Sequence, residues 1–217
     1  MRNRRPTDAF TLVELLAVIG IMGLLAVLAV PALKGLTGSG GRKQALGQLI
    51  GALELARNTA ISSGTNAGVI FPTDSMSIPG YAYRTMAVVT WGGANTNSAG
   101  EIVGEMVGDW ISLPRGIAFF PGSLAATNLV TATNITYRIL TQKITNGTFN
   151  AVLFQRDGGL LAGINGGTPS YPTNGVAFFE GTVTNNKASK ITQQPKFERV
   201  RLSQYTGRVR PTLGDEP

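Results

Sequence analysis

FTLVELLAVIGIMGLLAVLAVPAL, residues 10–33, is an unbroken apolar run with one charge, Glu14, near its start. A helix rising about 1.5 Å per residue over this stretch crosses a hydrocarbon core of roughly 30 Å, so the segment is expected to span a membrane. A carboxylate in such a run costs on the order of 2.5–3.5 kcal/mol, less near an interface, so Glu14 is expected to meet a positive charge from another chain. Pro31 removes one backbone hydrogen bond within the run and is expected to kink the helix.

The residues just before the run sharpen this reading. Met1–Ala9 is short and polar, with Arg2, Arg4 and Arg5, and it ends abruptly at Ala9–Phe10. Basic residues on this side keep the N-terminus cytoplasmic and send the remaining chain across the membrane. A secretory signal also has a basic start and an apolar core, and Ala29, Pro31 and Ala32 offer small residues for a signal peptidase. A signal core is typically about 7–15 residues, whereas this run is longer and holds an acid, so a retained helix is favoured.

The join AFTLVELL resembles the cleavage and methylation signature of type IV prepilins and type II secretion pseudopilins. The resemblance implies that prepilin peptidase cuts between Ala9 and Phe10 and methylates Phe10. It also implies that Glu14 pairs with the terminal amine of a neighbouring subunit and sets assembly register, and that Pro31 matches a proline many members carry. Ala9 stands where the family usually has glycine; being small, it is expected to permit cleavage. The implied location is the bacterial inner membrane, single-pass, with the N-terminus cytoplasmic, the head periplasmic or extracytoplasmic, and the chain incorporated in a pilus or pseudopilus.

The expected organisation follows: a leader at 1–9, a transmembrane and assembly helix at 10–34, a glycine-rich joint at 35–41, and a globular pilin-like head at 42–217. The joint reads either as a place where helix melts during assembly, making a filament extensible, or as a plain linker. Within the head, residues 42–63 read as an amphipathic helix, with Ala45, Leu46, Leu49, Ile50, Leu53, Ala56 and Ala60 at spacings of three and four and Gly64 at the end. Beyond Gly64 the period shortens. Strands are expected at 68–71, 81–89, 109–113, 117–120, 135–140, 151–154, 176–179, 197–202 and 207–210. The fold class is therefore α+β and pilin-like: a long N-terminal helix, membrane-spanning in its first half, packed against antiparallel β-sheets, two sheets being favoured over one.

Composition limits the chemistry. The 217-residue chain has neither cysteine nor histidine, so a disulfide framework, a thiolate nucleophile, a histidine base and the usual soft or imidazole metal ligands are all excluded. The 12 acidic residues are scattered without a catalytic motif, and no enzyme, cofactor or metal is expected. Gln155–Gly159 offers one carboxylate beside Arg156, whereas calcium takes six to eight oxygens, so Asp157–Gly158 reads as a turn. The formal charge is +7, and loss of the leader removes three arginines and one aspartate, leaving a basic chain.

Other segments resemble the GspH/FimT-like minor pseudopilins and pilins. LGQLIGALELARNTAIS resembles their helix with its Ala-Arg-x-x-Ala step, in which Arg57 reads as a snorkelling surface residue. WISLPRGIAFF, AVLFQRDGGLL and RVRLSQYTGRVR resemble their later strand and turn steps, while Gly92–Gly108 and Gly122–Asn134 read as insertions. In the last of these, Arg199 and Arg201 alternate on one expected strand and Arg208 and Arg210 on the next, with Lys187, Lys190 and Lys196 nearby. Gly207–Arg210 resembles the Gly-Arg-x-Arg motif linked in FimT-like pilins to DNA binding during natural transformation. Alternating arginines also fit a solvated strand face or an edge guarded against aggregation. The expected function is thus a minor pseudopilin or pilin subunit whose partners are prepilin peptidase, other pilin or pseudopilin subunits and the inner membrane. The alternatives are a DNA-binding minor pilin and an anchored surface protein that never polymerises.

Overall fold

The computed structural model describes residues 12–37, 39–73, 80–91, 105–125, 128–133, 146–165, 168–193 and 195–214. In chain order the elements are α1 (Leu12–Thr37), α2 (Ser39–Ser63), β1 (Asn66–Phe71), β2 (Thr85–Trp91), β3 (Glu105–Met106), β4 (Ile111–Ser112), β5 (Ile117–Phe119) and α3 (Pro121–Ala125). There follow β6 (Asn128–Thr133), β7 (Asn146–Phe154), β8 (Gly163–Asn165), β9 (Thr168–Ser170), β10 (Val176–Thr184), β11 (Lys187–Lys190), β12 (Phe197–Leu202) and β13 (Val209–Gly214). The chain divides into two compact units, Met1–Gly40 and Gly41–Pro217.

The first unit holds α1. Its large apolar side chains from Leu12 to Leu25 are all exposed, from 45% at Val18 to 76% at Leu12. Since consecutive helical residues point in different directions, α1 is apolar all round over this length, unlike a helix that covers a core with one stripe. Among the described residues no helix is long and apolar enough to cross a membrane. The side chains of α1 are described only as far as Leu25, so the span expected at 10–34 stands on the sequence.

The second unit is built on α2. Ala45, Leu49, Ala52, Leu53, Ala56 and Ala60 form one buried stripe, with Leu46 and Ile50 half-buried beside it. Gly64, at φ +64°, ends the helix in the left-handed conformation that glycine adopts without strain. The alanines keep the helix surface low, so the sheets come close to its axis. Gly41 shows the same closeness: it is buried, and a methyl there would touch Ile117 and Pro114 at 3.7 and 3.8 Å. Fully burying each leucine or phenylalanine of such a core contributes roughly 1.5–3 kcal/mol.

Two antiparallel sheets meet this stripe. One has the order β3-β2-β1-β7-β6 with β4 also on β2; the other runs β11-β10-β12-β13 with β5 on β10; β8 and β9 form a separate pair. Ala67, Val69 and Phe71 of β1 join the helix core, whereas Ile70 packs on the opposite face with Ala87, Val89 and Phe149. β1 is central because both of its faces are covered. In the second sheet Phe178, Val200 and Leu202 face the helix core, while Ala118, Phe179 and Phe197 form an outer cluster.

Several expected boundaries are corrected. Residues 81–84 form a turn and not the start of a strand: Thr85 N–H donates to the Tyr81 carbonyl at 3.2 Å, and Tyr83 has φ 56°. The strand expected at 109–113 shrinks to Ile111–Ser112, and that at 207–210 starts at Val209 and continues to Gly214. The expected insertion 122–134 contributes β6, an edge strand paired with β7, and 92–108 contributes β3. Of the expected glycine joint, Gly35 is helical in α1 and Gly40 and Gly41 in α2, and Gly38 lies outside the described residues. The strand expected at 135–140 also lies outside them.

Candidate functional site

From Glu198 onward β12 alternates between buried and more exposed positions. Val200 and Leu202 are buried against the core, so Arg199 and Arg201 project from the outer face. β13 pairs antiparallel with it, Arg201 opposite Arg210, Arg199 opposite Thr212 and Leu202 opposite Val209. Arg208 lies two residues before Arg210, and its carbonyl accepts from Ser203 N–H at 3.0 Å, extending the ladder by one step. The four arginines therefore share one face of one hairpin, with Arg201, Arg208 and Arg210 exposed and Arg199 half-buried. Among the described residues none of the four is in an ion pair. Lys187, Lys190 and Lys196 are exposed, and Lys190 Nζ lies 5.6 Å from the centre of the Phe197 ring.

The turn joining the two strands is tied down from below. Gly207 N–H donates to the Ser203 carbonyl at 2.8 Å, and Leu160 N–H to the Gln204 carbonyl at 3.0 Å. Gly207 has φ +61°, and a methyl on it would run into the Gly158 carbonyl and the Phe154 ring, so only glycine fits. Arg57 Nε of α2 donates to the Thr206 carbonyl at 2.7 Å, with Glu54 3.9 Å from its Nη1. Arg57 thus combines a surface ion pair with a bond that holds the hairpin turn.

A second charged constellation escaped sequence reasoning. Arg42 Nη1 lies 3.4 Å from Glu180 and its Nε 3.7 Å from Glu198, joining the first turns of α2 to β10 and β12. The signal was in FERVRL: the alternation that turns Val200 and Leu202 inward also turns Glu198 inward, and a buried carboxylate calls for a cation. Ordinary sequence spacing could not reveal that the cation is Arg42.

The remaining candidates are placed as follows. Ala9 and Phe10 lie outside the described residues. Glu14 stands in the first turn of α1, where a negative charge suits the helix dipole, and Pro31 lies within the same helix. Asp157 is engaged locally, its Oδ1 accepting from Gly159 N–H at 2.9 Å. Among the described residues no group of three or more acidic side chains is placed to hold a metal ion. A cavity of about 230 Å³ lined by Gly80, Tyr81, Arg84, Thr85 and Ser112 includes none of the residues singled out in the sequence.

Residues 4–30 match the model of the prokaryotic N-terminal methylation motif. The match supports the type IV pilin and pseudopilin class, and with it processing by prepilin peptidase and attachment to a membrane or pilus. It spans the boundary at Ala9–Phe10, Glu14 and most of the apolar run, and it leaves the head untouched. No curated protein and no solved structure matches the chain.

Proposed function

We propose that this chain is a minor pseudopilin or pilin subunit of the GspH/FimT-like type, cut before Phe10, N-methylated there, and assembled through its N-terminal helix into a pseudopilus or type IV pilus. The observation that carries the proposal is α1 itself: the methylation motif runs into a helix that leaves its apolar side chains from Leu12 to Leu25 exposed on every side. A surface of that kind needs lipid or other helices to cover it. In the membrane residues 10–34 span the bilayer, with the head on the extracytoplasmic side; in the filament neighbouring helices replace the lipid. Glu14 then pairs with the methylated amine of the next subunit, and because an unpaired charge in that setting is costly, it selects one register. The test is Glu14→Ala, followed by cross-linking to co-expressed pilin-type subunits in membranes. The variant should insert and fold as the parent does yet fail to cross-link into filaments; normal incorporation would remove the mechanism.

A second reading concerns the head. The register of β12 and β13 gathers Arg199, Arg201, Arg208 and Arg210 on one face with no ion pair among the described residues. Guanidinium groups so grouped suit phosphate, and counterion release would make binding salt-sensitive. This favours a DNA-contacting role for the hairpin beside the assembly role of α1.

A further inference from the structure

The hairpin that carries the arginines also carries Tyr205, whose side chain is 84% exposed, more than Ile191 at 54% or Leu55 at 46% on the same unit. An exposed aromatic ring offers an open π-face for stacking, provided that its backbone is fixed. Its backbone is held on both sides: Leu160 N–H bonds Gln204, Arg57 Nε bonds Thr206, and Gly207 N–H closes the turn on Ser203. The ring therefore stands in solvent on a pinned loop, and tyrosine loses little side-chain freedom when something stacks on it.

We propose that this tip takes single-stranded nucleic acid, with Tyr205 stacking on an unpaired base and Arg201, Arg208 and Arg210 neutralising the neighbouring phosphates. The proposal rests on the second reading above and narrows it. Residues two apart on a strand are separated by about 6.8 Å and paired strands by about 4.8 Å, so the three exposed guanidinium groups spring from a patch only a few nucleotides long. Phosphates occur in duplex and single strand alike, but the π-face of a base is free only when the base is unstacked. An exposed ring in the turn between the two arginine-bearing strands thus separates the two forms, which the arginines alone do not. A small patch of three cations also predicts a shallow salt dependence, a slope of about −2 in log affinity against log salt for a single strand.

The experiment measures fluorescence anisotropy of the full-length chain in detergent with dye-labelled oligo(dT), with a duplex of equal length, and with heparin as a base-free polyanion. The parent should bind oligo(dT) more tightly than duplex. Tyr205→Ala should weaken oligo(dT) binding about tenfold or more, leave duplex and heparin binding and the salt slope unchanged, and Tyr205→Phe should retain affinity. Arg208→Ala with Arg210→Ala should weaken binding to all three probes and lower the single-strand slope by about 1.4. If the double arginine variant loses binding while Tyr205→Ala binds oligo(dT) like the parent, stacking is refuted and the anion-binding surface survives. If duplex binds as well as oligo(dT), the preference for unpaired bases is refuted. Absence of binding to every probe would refute both the stacking and the surface it rests on.

Discussion

Arg42→Ala should destabilise the head by about 3 kcal/mol. The Glu198 side chain is 9% exposed and that of Arg42 13%, so the substitution strands an almost dry carboxylate. Breaking a buried pair by removing one partner costs about 3–5 kcal/mol. The separations of 3.4 and 3.7 Å are long for charge-assisted hydrogen bonds, which places this pair at the lower end. For a domain of this size each kcal/mol lowers Tm by about 2–4 °C, so the expected fall is about 6–12 °C. Glu198→Gln should cost less, because it removes the buried charge while Arg42 keeps Glu180. The double variant Arg42→Ala/Glu198→Gln should be more stable than the sum of the two single losses by about 1 kcal/mol or more. Thermal unfolding of the full-length chain in detergent, followed by circular dichroism, measures all three. A shift of Arg42→Ala below about 2 °C, or strict additivity in the cycle, would refute the claim that this pair fastens α2 to the second sheet.

Two other substitutions test the hairpin's support. Gly207→Ala combines a left-handed backbone with a methyl driven into the Gly158 carbonyl, and should cost about 2 kcal/mol or more in urea unfolding; a loss under about 0.5 kcal/mol would contradict the interlock of the two turns. Arg57→Ala should leave the fold intact but raise hydrogen exchange at Gly207 and Leu160 by about tenfold, the value of one net hydrogen bond; unchanged exchange would mean that Arg57 does not hold the turn.

Periodicity was readable wherever one face of an element is buried. Phe197–Leu202 matches its expected limits because FERVRL alternates against a core, and α2 keeps its expected stripe, although it begins at Ser39 and not at 42. Asn128–Thr133 was missed because NLVTAT is an edge strand rich in small and polar residues, and so reads as loop. Tyr81–Arg84 misled in the opposite sense: its aromatic alternation resembles a strand, yet Gly80 at φ 91° and the bond from Thr85 to Tyr81 fold it into a turn. Glycines at 35, 40 and 41 suggested a break, since each costs about 1 kcal/mol in a helix relative to alanine. Gly41 is nevertheless buried in α2 beside Ile117 and Pro114, so the helix there is held by tertiary packing that no local pattern contains. The arginine face followed from alternation plus one hairpin register, whereas Arg42 meets Glu198 only through the three-dimensional fold.

The most direct test of the assembly account is mass spectrometry of the N-terminus of the native chain from bacterial membranes. The polypeptide should begin at N-methylated Phe10 and retain residues 10–33. A chain that still begins at Met1, or one trimmed beyond Ala32 and released from the membrane, would contradict it.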